Sequence, residues 1–305
     1  DSDNNNNNIN NKKIACWGDS ITYGLGGQEN TYIKSEAGII DASNWNYPDT
    51  LRYYTGMDVY NLGVCGETSY EIALRQGGIK MYVGKQVTVK PGKRTQISIV
   101  DESGNPVILE NFNGYETDNQ QPENVVYIND IPFKLEYDNS RIYISIYDNV
   151  VDKSVKLKKG SGDVLVIQMG SNGGWNDYDE LIEQYKAMIA NSGTECYIII
   201  GDTDNPEESV DSANYTNSQE IGTDDSMWEA ALREAFGEHF INMRTYLLEN
   251  ALNIAGLEPT QMDEEDLSQG RVPETIKYDY THLNSYGYYA IGYGVYEKGL
   301  ELGYW

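Results

Sequence analysis

The chain has 305 residues, a net charge of −26 and 39% hydrophobic residues, with 26 tyrosines. That length can bury a large core, either as one domain or as a domain carrying an insertion. No apolar run of about 18 residues reads as a membrane-spanning helix, and so acidic a surface repels nucleic acid and anionic membranes. The charge is unevenly spread. Residues 80–159 hold eleven basic and eleven acidic side chains, so the remainder carries the whole net charge.

Asp1-Ser2-Asp3 runs into an Asn-rich tract, and residues 1–11 read as a disordered linker. Such a tract is what remains after a signal segment is removed, so a secreted or surface-tethered protein is expected. Cys16, Cys65 and Cys196 are too few, and odd in number, for a disulfide framework. Cys16 and Cys196 sit in strand-like runs as small hydrophobes. Cys65 falls in a loop, where packing is favoured over a nucleophilic role.

Ile14-Ala15-Cys16-Trp17 reads as a buried first strand that breaks into Gly18-Asp19-Ser20. Open α/β sheets bind ligands at such strand ends, although Gly-Asp-Ser on its own is also a common turn. A Gly-rich loop through Gly24, Gly26 and Gly27 follows, then polar residues to Asn46. Pro48 opens a helix that Gly56 closes, and Asp58-Val59-Tyr60-Asn61 is a second strand. The strand, helix, strand order is the parallel α/β pattern. Asn61 to Ser69 is a Gly-rich turn with Thr68 or Ser69 as helix cap, and Gly66, lacking a Cβ, lets its N–H approach a reacting oxygen. A helix from Tyr70 to Gln76 comes next.

Residues 80–160 change character. Period-2 or β-branched runs at 87–89, 96–100, 107–109, 125–128, 131–135, 142–147 and 155–157 predict an inserted antiparallel barrel or sandwich. It could shape the site, bind glycan or simply pack. The α/β pattern resumes at Asp163 to Gln168, a continuous apolar run suited to a strand buried on both faces, which ends in Met169-Gly170-Ser171-Asn172-Gly173-Gly174-Trp175. A helix from Tyr178 to Ala190, a strand at Cys196 to Ile200, an acidic loop from Asp202 to Asp225 and a helix from Met227 to Phe236 follow. Phe240-Ile241-Asn242 is a last strand and Arg244 to Asn250 a helix. A long acidic loop from Gly256 reaches Asp279-Tyr280-Thr281-His282. The closing helix, Ser285 to Leu302, buries Tyr288, Ile291, Val295 and Leu300. Asp202-Thr203-Asp204 lacks the full spacing of a calcium loop.

Nucleophilic acyl transfer needs a hydroxyl, a base, a group that orients the base, and donors for an oxyanion. Only two histidines are available. His239 precedes the last strand, a structural or surface position. His282 follows Asp279 by three residues, so one turn can bring the carboxylate to Nδ1 and leave Nε2 for Ser20. An isolated D-x-x-H is more often a surface turn.

Four polar blocks in this order are specific. The chain resembles an SGNH hydrolase of the GDSL esterase and lipase superfamily, on Ser20 in Gly18-Asp19-Ser20, Gly66, Asn172 in Gly170-Ser171-Asn172, and His282 after Asp279. The resemblance spans residues 12–78 and 162–303. It implies a three-layer α/β/α, flavodoxin-like parallel sheet, formed by residues 12–79 and 161–305 around the inserted 80–160 β domain. It also implies Ser20 as nucleophile, His282 as general base and Asp279 as its orienter. Ser20, Gly66 and Asn172 would form the oxyanion hole, with Asp19 and Trp175 as substrate contacts and no metal or cofactor. Two positions depart from the pattern. Gly173 replaces the Asp of Gly-x-Asn-Asp, and Ile21 replaces the Leu of the name-giving motif. No G-x-S-x-G elbow is present, which argues against an α/β-hydrolase fold.

The expected activity is a serine esterase removing short acyl groups, such as acetyl, from a polysaccharide, with Trp45, Trp175 and tyrosines stacking on sugar. Acyl transfer or lipase activity within the same superfamily is the alternative. From a different class comes a glycan-binding module with a vestigial hydrolase site.

Overall fold

The computed structural model describes residues 12–35, 38–107, 125–128, 131–138, 141–146, 162–204 and 225–305. The first strand, β1 (Lys13–Gly18), is followed by a hairpin of β2 (Tyr32–Ser35) and β3 (Gly38–Asp41), then by β4 (Asp58–Gly63). The middle of the chain holds β5 (Tyr82–Val83), β6 (Thr95–Ile97), β7 (Ile99–Val100), β8 (Val125–Ile128), β9 (Ile131–Asp138) and β10 (Arg141–Ile146). After it come β11 (Val164–Gln168), β12 (Tyr197–Ile200) and β13 (Phe240–Ile241).

The central sheet has the order β13-β12-β11-β1-β4, and every pairing in it is parallel. Numbered within this sheet the order is 2-1-3-4-5 from the β4 edge, the flavodoxin-like arrangement. Alternation along each strand explains the three layers. Ile14, Cys16, Val164, Val166, Ile198 and Ile200 turn to one face, where they pack with Leu51, Leu247 and Ile291 of the helices Tyr47–Thr55, Met243–Ala255 and Ser285–Glu301. Ala15, Trp17, Leu165, Ile167 and Ile199 turn to the other, against Ile72, Leu181 and Leu232 of Ser69–Gln76, Tyr178–Ser192 and Met227–Phe236. Strands buried on both faces need continuous apolar runs, and that is why these strands stand out in the sequence.

The chain leaves β1 toward β4 on one side and later returns as β11 on the other. This makes the end of β1 a topological switch point, with loops diverging on either side of it. Ser20 lies there. Glycines end both β1 and β4, and the approach they permit is close. A Cβ on Gly18 would stand 2.1 Å from Thr22 Oγ1, and one on Gly63 would stand 2.2 Å from the Tyr23 nitrogen.

Several expectations are corrected by the structure. The Gly-rich loop after Ser20 begins as a helical turn, Ser20–Tyr23, closed by Gly24 in the left-handed region. The polar stretch to Asn46 contains the β2–β3 hairpin, which buries Ile33 and Ile40. The loop expected from Gly256 to Asp279 contains a helix, Gln261–Ser268, whose Thr260 and Asp263 form a capping box. Leu300 is 49% exposed rather than buried, and Gly299 takes the inward position against Trp305. Cys16 is buried, while Cys196 is half-buried just before β12.

In the middle section β6, β10, β9 and β8 form an antiparallel sheet in that order, and β5 pairs with β7. Ile97, Ile99, Phe133, Ile142 and Ile144 pack with Leu74 of the Ser69–Gln76 helix. Residues 87–89 are not a strand. No closure into a barrel is seen among the described residues. The runs expected at 108–109 and 155–157 lie outside them, as do the N-terminal tract 1–11 and residues 205–224 of the acidic loop.

Candidate active site

Ser20, at the first position of its short helix, is 7% exposed. Its Oγ lies 2.9 Å from His282 Nε2. On the far side of the imidazole, Nδ1 is 3.0 and 2.9 Å from the two oxygens of Asp279. A carboxylate facing Nδ1 places the ring proton there, so Nε2 is left to accept from Ser20. Burial opposes ionisation of Asp279. The N–H groups of His282 and Thr281, at 2.7 and 2.9 Å, and the His282 ring outweigh it and hold the carboxyl below its ordinary value.

The Asp279–His282 turn is fastened from behind by Asn284, the cap of the closing helix. Its Oδ1 accepts the N–H groups of Tyr286 and Gly287, and its Nδ2 donates to the carbonyls of Thr275 and Lys277. The helix therefore carries the base to the nucleophile over 262 positions of sequence.

The loops after β4 and β11 meet beside Ser20. Gly18 is opposite Gly63 on β4 and Gln168 on β11, which brings the three strand ends level. Val64 N–H donates to the Gly18 carbonyl at 3.0 Å. Gly66 has φ +77°, in the region that favours glycine. Asn172 donates from Nδ2 to the Glu67 carbonyl at 3.1 Å, and an amide nitrogen has a second proton to offer. Gly173, the departure from the family pattern, also has positive φ, and its carbonyl accepts from both the N–H and the hydroxyl of Ser69. Backbone capture by Ser69 thus supports the loop.

Beneath the Gly66 turn, Glu67 is buried and accepts Arg75 Nε and Nη2 at 2.7–2.9 Å. Arg75 also donates to the Leu62 carbonyl and stands 4.8 Å over the Trp17 ring. Burial pushes the Glu67 carboxyl up to about 7 against the pull of Arg75. Cys65 is half-buried, and its thiol is pushed up to about 11, chiefly by burial and next by Asp19, so it is no thiolate nucleophile at neutral pH.

One of the expected substrate contacts, Asp19, falls elsewhere. Asp19 has no exposed surface, and its Oδ1 caps the Ser20–Tyr23 turn by accepting the Ile21 N–H at 2.9 Å. Full burial and this cap point the side chain inward, away from any substrate. Trp175 donates its indole N–H to the Gly170 carbonyl at 3.0 Å and packs on Trp228 and Tyr178. Its indole N–H is thus engaged by the loop, while the ring is half-buried. Trp45 packs among Tyr53 and Tyr289. The exposed aromatics nearest Asp279 in sequence are Tyr278 and Tyr280, 57% and 72% exposed. Sequence reading passed over both.

His239 stacks on Tyr197 with ring centroids 4.1 Å apart, and its Nδ1 is 3.0 Å from Tyr304 Oη, a structural setting. Asp202 Oδ1 is engaged by Ser171 Oγ and the Thr203 N–H. Among the described residues no group of three or more His, Cys, Asp or Glu side chains is placed to hold a metal.

No family profile matches the chain, and neither does any curated protein sequence. Among solved structures, one assigned by its description to the G-D-S-L family of lipolytic proteins, from Desulfitobacterium hafniense DCB-2, aligns over 94% of this chain and 99% of its own at 11% identity and TM-score 0.45. A carbohydrate esterase family 2 enzyme with a carbohydrate-binding domain, from Corynascus thermopiles (Myceliophthora fergusii), aligns over 96% of this chain and 67% of its own at 13% identity and TM-score 0.42.

Proposed function

We infer that the chain is a serine carboxylic-ester hydrolase of the SGNH type, with Ser20 as nucleophile, His282 as general base and Asp279 as its orienter. The observation that carries this reading is the unbroken run of hydrogen-bond distances from Asp279 through His282 to Ser20 Oγ. Ser20 Oγ attacks the ester carbonyl carbon as its proton passes to Nε2. The negative charge gathers on the carbonyl oxygen, where the N–H groups of Ser20 and Gly66 and the amide of Asn172 stabilise it. Collapse expels the alcohol, which takes the proton from the imidazolium. Water, deprotonated by His282, then releases the acid and restores Ser20. Asp279 stays ionised throughout, because its hydrogen bonds favour the carboxylate.

The substrate is a short acyl group, acetyl above all, on a neutral sugar. Support comes from the net charge of −26, which disfavours anionic substrates, and from Tyr278 and Tyr280, exposed on either side of Asp279. Turnover of aryl esters of increasing acyl length, alongside acetylated polysaccharides, tests the reading. Fastest release of acetate is expected, and no release from any ester overturns it.

Asn172→Ala is expected to lose about 2.7–4 kcal/mol of transition-state stabilisation, read in kcat with KM little changed. A change confined to KM would remove Asn172 from the oxyanion hole.

A further inference from the structure

Glu67 follows Gly66 in the chain, and its backbone touches both oxyanion donors that lie outside the nucleophile turn. Its carbonyl accepts Asn172 Nδ2 at 3.1 Å. Its N–H closes a turn on the Val64 carbonyl at 3.3 Å, with Gly66 inside that turn at φ +77°. Wherever Glu67 moves, the Gly66 turn and the Asn172 amide move with it.

What holds Glu67 is a cation from the helix that follows. The Glu67 side chain has no exposed surface. Its two oxygens each accept Arg75 Nε at 2.9 Å, and Oε2 also accepts Nη2 at 2.7 Å. The same Nη2 donates to the Leu62 carbonyl at 2.8 Å, near the end of β4. One guanidinium therefore joins the strand to the far side of the turn that the strand runs into. It lies 4.8 Å over the ring of Trp17, the residue opposite Leu62 on β1. A lysine would meet the Glu67 charge, but only a planar fork sets the direction of the carboxylate as well. Arg75 stands in the last turn of the Ser69–Gln76 helix, and Ser69, in its first, is bound through N–H and hydroxyl to the carbonyl of Gly173, the residue after Asn172. The helix thus holds the Asn172 loop at one end and the Gly66 turn at the other.

We propose that Arg75 is a positioning residue for the oxyanion hole. It fixes the Gly66 turn through the Glu67 carboxylate, and the Asn172 amide through the Glu67 carbonyl, so that both donors are aimed before substrate arrives. The proposal rests on the esterase reading. Stability alone does not call for a buried ion pair here, because apolar side chains of similar volume often serve as well or better. Catalysis does call for fixed donors: those that need no reorientation stabilise the growing charge most, and a small misplacement is costly. The proton relay runs from Asp279 through His282 to Ser20 without either residue.

The test uses two variants at pH 8, above the value of about 7 to which burial raises the Glu67 carboxyl, so that the wild-type pair is ionised. Arg75→Lys keeps the charge and loses the fork. Glu67→Leu combined with Arg75→Met removes both charges and keeps the site filled, so the fold is retained. Each is expected to lower kcat for an aryl acetate about tenfold or more with KM little changed. The inhibition constant of an aryl trifluoromethyl ketone, whose serine adduct puts an oxyanion in the hole, should rise by about the same factor. In an Asn172→Ala background Arg75→Lys should cost only about threefold, because one of the two donors it aims is gone. Hydrogen exchange across residues 61–69, measured without substrate, should quicken in both variants. A purely structural role would lower the thermal midpoint and leave kcat and the inhibition constant of the folded enzyme unchanged. Wild-type kcat in either folded variant, an equal loss in the Asn172→Ala background, or unchanged exchange across 61–69 overturns the proposal. Failure of the esterase reading shows differently, as absence of ester turnover in the wild type.

Discussion

Replacing Ser20 with alanine is expected to lower kcat for ester hydrolysis by roughly five to six orders of magnitude. The side chain contributes no cap to its own helix, a task that falls to Asp19, and Ala is a good helix former. The fold should therefore survive, as an unchanged circular dichroism spectrum would show. His282→Ala should cost about as much, because a serine without its base is a weak nucleophile at neutral pH. The double variant should be no slower than either single one, since members of a triad act as a unit. A remnant rate above that in water would come from the donors around Asn172. Stopped assays with an aryl acetate measure all three, and additive losses would contradict a shared proton relay.

The second large effect is on stability. Arg244 and Glu229 form an ion pair with both side chains almost wholly buried, joined by two hydrogen bonds of 2.8 Å. Arg244 also donates to the Gly270 carbonyl at 3.0 Å. Glu229 Oε2 accepts the Ser226 N–H at 2.7 Å and completes the capping box of the Met227–Phe236 helix. Glu229→Ala strips the guanidinium of its carboxylate in a place water does not reach, and is expected to cost about 3–5 kcal/mol. Urea unfolding reads the loss as a lower midpoint. A cost under about 1 kcal/mol would mean that the pair is solvated in the native state. Gly270 belongs to the segment leading to Asp279, so this ion pair also steadies the approach to the base.

The parts of the fold legible in the sequence are those where one physical requirement dominates. Ile14 to Trp17 and Val164 to Ile167 must be apolar throughout because both faces of each strand are covered, and Gly18 and Gly170 follow these runs where the loops turn. The D-x-x-H turn reads on its own as a surface turn, and it pointed to a base only through its order after the three other polar blocks. Less legible were contacts between side chains far apart in the sequence. Nothing local marks Asn284 as the fastening of the Asp279–His282 turn, because it also reads as an ordinary helix cap. Asp19 was misread for a physical reason: a carboxylate beside a nucleophile resembles a substrate contact, and only its burial and its bond to the Ile21 N–H show that it faces inward. The Gln261–Ser268 helix was missed because it has few apolar residues, although its capping box at Thr260 and Asp263 was there to be read.

The central claim is that Ser20 Oγ becomes acylated. The most direct measurement is mass spectrometry of the protein quenched during turnover of an aryl acetate, and of the protein treated with an alkyl fluorophosphonate. A single added group on the peptide containing Ser20, absent from Ser20→Ala and strongly slowed in His282→Ala, is the expected result. Ester turnover with no label on Ser20, or with the label on another residue, would contradict it.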